Sequence, residues 1–200
     1  MSVATEREHG RERRKRLTRQ ALRSAVLELG LARGLGEVSV EAIAERAGVS
    51  TRTFFNYFAS KEEAALLDLF SVPEQELADL ATGDDADVWG DLATMFGRDV
   101  DRAENDSADL PRYLLLQEQN PLLRSRQFDR FARFEADLCA ALRTRLVHDP
   151  HGHLRASLMA GSCITAVRVG LADWAASGRD GQARTFVERA FALLAPAFSA

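Results

Sequence analysis

Three serines do most to limit how this chain can fold. Ser39, Ser50 and Ser60 each stand just ahead of a short run with helical spacing, where a side-chain oxygen can accept from an orphan N–H of the first turn. After Ser39, the apolar positions Val40, Ile43, Ala44 and Ala47 share one face of a 3.6-residue period. Gly48-Val49 then turns the chain, and Ser50 opens a second short helix through Phe58. Ser60-Lys61-Glu62-Glu63 has the S-x-x-E form of a capping box and opens a fourth helix toward Leu80. Ahead of all three, Leu22, Ala25, Val26 and Leu29 mark a long first helix from about Arg11 to Arg33, stopped by Gly34 and Gly36. Two short helices joined by a glycine-containing turn and packed on a longer one make a helix-turn-helix pattern.

The remainder also reads as helix. Trp89, Leu92, Ala93 and Phe96 line one side of a segment from Ala86 to about Arg102, and Asn105-Asp106-Ser107 breaks it before another running to about Gln119. Pro121 sits where a helix tolerates proline, at its start, and Phe128, Phe131, Phe134 and Leu138 follow in register toward Val147. A turn at 148–153 leads to a long helix from Leu154 to Ala176, and a last helix ends near Phe198. Strand-like alternation and internal repeats are absent. The expectation is an all-α chain of about nine helices, divided into an N-terminal three-helix domain, residues 1–60, and a helical domain, residues 61–200.

Charge follows the same division. The formal net charge of −4 would argue against a nucleic-acid partner if it were evenly spread. Residues 1–61 instead hold 12 basic and 7 acidic residues, a balance of +5, and residues 62–200 hold 14 and 23, a balance of −9. A split of this kind points to one part that meets a polyanion and another that does not. Met1 to Arg16 is charged and lacks the apolar core of a signal peptide. Leu158 to Val167, the longest nearly apolar stretch, is about half what a membrane helix needs, so no membrane partner is expected. The two cysteines, Cys139 and Cys163, make no disulfide framework and fit a reducing, cytoplasmic location.

Residues 17–63 resemble the DNA-binding domain of TetR-family repressors. The resemblance rests on Leu17 to Leu29, the Ile43-Ala44 pair, the Gly48-Val49-Ser50 turn, Thr53, and the aromatics Phe54, Phe55, Tyr57 and Phe58 before Ser60-Lys61-Glu62. It implies a double-stranded DNA operator as partner. A recognition helix presents its first and outward residues to the major groove, here Ser50, Thr51, Arg52, Thr53 and Asn56. Arg52 suits a guanine edge, and Thr51 or Thr53 a thymine methyl or base acceptor. Tyr57, Lys61 and Ser39 are expected at phosphates. Arg14, Lys15 and Arg16, ahead of the helical core, suit the DNA backbone or minor groove, and a solvated charged tail is an equal alternative. Phe54 and Phe58 read as core. The sequence departs from the family at Phe55, commonly tyrosine, and at Gly30, commonly phenylalanine. The second change removes core volume, and Leu31 or Leu35 is the expected filler.

The resemblance also implies that the rest is a ligand-binding and dimerisation domain, with the last two long helices pairing across a two-fold in a homodimer. Small residues in 154–176 and the stripe Phe186, Ala190, Leu193, Leu194 and Ala197 permit such a bundle. Asn120-Pro121-Leu122-Leu123-Arg124 and the stretch Val169 to Trp174 are similar to a subset sensing acyl-CoA-type ligands. Pocket candidates are Trp89, Phe96, Tyr113, Phe128, Phe131, Met159, Cys163 and Trp174, each with plain core as its alternative, and Arg168 as anchor for an anionic head, with a surface ion pair as its alternative. His148, Asp149, His151 and His153 share a turn that Pro150 and Gly152 keep from converging on a metal, so no metal site is expected. No cofactor is implied, and no catalytic constellation appears. The expected function is that of a ligand-responsive repressor and not an enzyme. An all-α small-molecule-binding protein or enzyme with a structural N-terminal unit is the alternative.

Overall fold

The computed structural model describes residues 3–84, 86–106 and 109–198. Among these it contains ten α-helices, a single 3-10 turn at Leu35–Glu37, and no strand. The helices are α1 (Val3–Arg33), α2 (Val40–Arg46), α3 (Thr51–Phe55), α4 (Lys61–Ala65), α5 (Glu74–Thr82), α6 (Val88–Asp106), α7 (Leu110–Gln119), α8 (Pro121–Arg145), α9 (Gly152–Ala176) and α10 (Ala183–Phe198). Part of the break expected at Asn105-Asp106-Ser107 lies outside the described residues. Helix α6 itself continues to Asp106.

Two elements differ from the sequence expectation. Helix α1 begins at Val3, earlier than the expected start near Arg11, so Arg14, Lys15 and Arg16 lie well inside it. The expected fourth helix toward Leu80 is two helices, which raises the number from about nine to ten. Pro73 caps α5 and disfavours helical backbone at Val72. Phe70 takes a left-handed φ of 63°, unusual for a bulky residue. Its N–H donates to the buried Asp99 carboxylate at 2.7 Å, and its ring packs on Phe131, Phe134 and Phe96.

The chain divides into two compact units, Met1–Leu67 with Asp106–Arg124, and Asp68–Asn105 with Ser125–Ala200. The expected cut at residue 60 therefore misses α7, which belongs to the first unit. Leu110, Tyr113 and Leu116 of α7 are buried, and Ser24 of α1 donates to Asp109 at 3.0 Å. A Cβ on Gly30 would lie 3.2 Å from a Leu116 methyl and 3.6 Å from Leu35. Leu116, with Leu35, thus occupies the space a larger residue at 30 would need. Tyr113, expected from sequence in a second-domain pocket, consequently sits in the first unit.

In the second unit an aromatic core joins α6, α8 and α10. Trp89, Phe96, Phe134 and Phe191 are buried together, with neighbouring ring centroids 5.1–5.8 Å apart. Helix α9 packs along α10 and buries Ala156, Met159, Ala160, Cys163, Val167 and Trp174 among others. Among the described residues, α9 is the one helix long and apolar enough to cross a bilayer, a test the expectation from Leu158 to Val167 alone did not meet. Half of its apolar window is buried inside the protein, as in a core helix.

Candidate functional site

All three serines cap helices. Ser39 Oγ accepts from the N–H of Ala42 at 3.2 Å, and Ser60 Oγ from Glu63 at 3.1 Å. The Glu63 carboxylate reaches back to the Ala59 N–H at 2.8 Å, one residue earlier than in the usual capping box. Ser50 Oγ accepts from the Thr53 N–H at 3.1 Å and lies 2.9 Å from the Thr53 hydroxyl. The turn between α2 and α3 closes when Val49 N–H donates to the Ala44 carbonyl at 2.9 Å. Gly48 makes that turn with φ of 69°, a conformation costly for any residue with a Cβ. Beneath it, Leu22, Val26, Ile43, Phe54 and Phe58 are fully or almost fully buried, which fixes the faces that α2 and α3 leave outside.

Helix α3 presents Arg52, Phe55 and Asn56, all exposed, on one outward face at i, i+3 and i+4. The Arg52 guanidinium has no partner among the described residues. Thr51, Thr53 and Tyr57 are half-buried, and the Thr53 hydroxyl is shared with the cap. Phe55 is 58% exposed, although its ring meets Phe54 edge-on at 5.4 Å.

Residues 22–66 match the sequence model of the bacterial regulatory proteins of the tetR family. The chain carries the TetR-family helix-turn-helix domain. It is also 49% identical over 70 residues to the HTH-type transcriptional regulator TcmR of Streptomyces glaucescens, a match covering 35% of this chain and 31% of that protein. The remaining expected DNA contacts differ in how they are held. Arg14, Lys15 and Arg16 are exposed on α1. Farther along α1, Arg19 lies over the Phe58 ring at 4.7 Å and Arg23 at 5.9 Å, so those two cations cover the core. Lys61 donates to the carbonyls of Gly36 and Val38, both at 2.8 Å, which ties α4 to the 3-10 turn while one ammonium hydrogen remains. Arg46 is paired with Glu28 at 2.7 Å on the surface.

The residues expected from sequence to line a ligand pocket differ in their surroundings. Trp89 and Phe96 belong to the aromatic core, and the Trp89 indole N–H donates to the Phe191 carbonyl at 3.0 Å. The Trp174 N–H is likewise taken by the Gly181 carbonyl. Met159 and Cys163 are fully buried in α9, and burial pushes the Cys163 thiol well above its ordinary pKa. Phe131 is half-buried against Phe70, while Phe128 and Arg168 are exposed. One cleft in this unit, between α5, α6 and the end of α8, is lined by other residues.

The sequence reading weighed Phe55 only as a departure from the family's tyrosine and did not single out Leu116, Asp99 or Arg145. Phe55 was legible in principle, being one turn from Arg52. Leu116 was not, because its partner Gly30 lies far back in the chain. Asp149 accepts from the His151 N–H at 2.7 Å and pairs with Arg155 at 3.2 Å. Its carboxylate thus serves the turn. Among the described residues no group of three or more potential metal ligands gathers.

Proposed function

We propose that this chain is a repressor that binds a palindromic operator as a homodimer and is released by a small hydrophobic or acyl-type effector. The observation that carries the reading is the outward face of α3, where an unpaired Arg52 stands beside exposed Phe55 and Asn56. Arg52 offers two donors in the geometry of a guanine O6/N7 edge, Asn56 suits adenine, and Phe55 suits a thymine methyl. Arg14, Lys15, Arg16, Ser39, Tyr57 and Lys61 would set the register through phosphates. The relative TcmR bears the name of a transcriptional regulator, which favours the same role here.

A dimer is favoured by the apolar side chains left exposed on the last two helices, namely Leu154, Leu158 and Val169 on α9 and Leu193 on α10. A two-fold through those helices would bury them and place two recognition helices about 34–36 Å apart in successive major grooves. Release requires an effector that binds the DNA-free arrangement more tightly than the bound one. Movement of α4, which Lys61 ties to the turn before α2, is the route by which α3 would be displaced. A mobility-shift titration with the gene's own upstream DNA tests the reading. Salt-sensitive binding that exceeds binding to a scrambled duplex is expected, and equal affinity for both would overturn it.

A further inference from the structure

The cleft in the second unit has about 270 Å³ of space, just under the 300–1,000 Å³ or so usual for small-molecule sites. Its walls are two helix faces with the same spacing. Glu76, Asp79, Leu80 and Gly83 come from α5 and the residue that caps it, and Asp91, Thr94, Met95 and Arg98 from α6. Leu80 and Met95 are buried and form an apolar floor. Arg145 closes the cleft with a side chain only 1% exposed. Its Nε and Nη2 donate to the Asp84 carbonyl, and Nη2 also to the Asp91 carboxylate at 2.6 Å. Nη1 makes none of these bonds and lies 3.2 Å from where a Cβ on Gly83 would stand. The absence of a side chain at 83 is what leaves this buried guanidinium edge open to the cleft.

The charges in the cleft sort into spent and unspent. Glu76 is taken by Arg102 and Asp91 by Arg145, both at 2.6 Å. Asp79 meets only the neutral Gln75 amide, at 2.8 Å, and Arg98 has no partner among the described residues. One negative and one positive group therefore remain uncompensated above an apolar floor. We infer that this cleft binds a small zwitterion of the amino-acid class, its ammonium at Asp79, its carboxylate at Arg98 and the free edge of Arg145, and its side chain on Leu80 and Met95. A site of this volume has no room for an acyl-CoA, so it is distinct from a site for an effector of that size. It stands whether or not the first unit reads DNA.

L-Methionine, methioninamide, N-acetylmethionine and N-acetylmethioninamide present both charges, the cation alone, the anion alone, and neither. Calorimetric titration of the full chain with each, up to millimolar concentration, tests the inference. Methionine should bind, and removing either charge should weaken binding by about tenfold or more, as charge-assisted hydrogen bonds imply. Arg98 and Asp79 are exposed, so Arg98→Ala and Asp79→Asn should leave the thermal transition in place. Arg98→Ala should shrink the difference between methionine and methioninamide to what Arg145 alone provides, and Asp79→Asn should abolish that between methionine and N-acetylmethionine. No binding of methionine, equal binding of all four probes, or a charge preference left undiminished by both substitutions would each overturn it.

Discussion

Gly30 and Leu116 offer a double-mutant cycle that probes whether α7 is truly part of the DNA-binding unit. Gly30 lies inside α1, where alanine exceeds glycine in helix propensity by about 1 kcal/mol. Its Cβ, however, would press on two Leu116 methyl carbons at 3.2 and 3.3 Å, and overpacking a core costs about 1–3 kcal/mol. The methyls are the far end of a flexible side chain, so the lower end of that range applies, and Gly30→Ala alone should be nearly neutral. Leu116→Ala empties a buried site and should cost about 2–5 kcal/mol. With Leu116 truncated, the two close contacts are gone, the contact with Leu35 stays at an ordinary 3.6 Å, and the full propensity gain returns. The predicted coupling between the two changes is about 1–2 kcal/mol, within the range seen for residues in contact. Urea unfolding followed by circular dichroism measures it. Both tryptophans, Trp89 and Trp174, lie in the second unit, so their fluorescence serves as an internal control. Strict additivity, or a Leu116→Ala cost under about 0.5 kcal/mol, the size of a surface effect, would refute the packing of α7 on α1.

Burial raises the Asp99 carboxyl above its ordinary pKa, against the opposing Phe70 N–H and Arg102. The folded protein then holds that proton more tightly than the unfolded chain does. The group's contribution is complete below the ordinary carboxyl value and is lost as pH rises through the raised one. The stability of the natural protein relative to Asp99→Asn should therefore fall across that window in pH-dependent denaturation, and a flat difference would contradict it. Leu193 is 84% exposed, so Leu193→Glu should leave folding intact yet yield monomers in analytical ultracentrifugation; a persistent dimer would remove α10 from the proposed interface. Ser50→Ala takes away the α3 cap and should cost about 1 kcal/mol in thermal unfolding, while no change would mean the Thr53 hydroxyl caps alone.

The helix-turn-helix was legible because its signals are local. Each cap lies within three residues of the N–H it serves, as at Ser39 and Ala42, and Gly48 announces its own turn. The buried faces of α2 and α3 follow from the same short spacing. What escaped depends on distant partners. Ser24 and Asp109 are 85 positions apart, so no window of sequence reveals that α7 completes the first unit. The break at Leu66–Pro73 was hidden for a similar reason, since the left-handed Phe70 is held by Asp99 from α6. Aromatic spacing identified Trp89 and Phe96 as inward-facing but could not separate a packed core from a pocket wall. The polar cleft was masked by its composition, because Asp79 and Arg98 read as ordinary solvated helix residues until the opposing faces are seen together.

The central claim is that Arg52 reads a base from the outward face of α3. Operator affinity of Arg52→Ala against a duplex set with every base varied singly tests it most directly. The account predicts that the substitution costs about 1–3 kcal/mol on the natural sequence and erases discrimination at one base pair per half-site, with the other positions unchanged. Uniform weakening across all sequences, with discrimination intact everywhere, would contradict it and make Arg52 a phosphate contact.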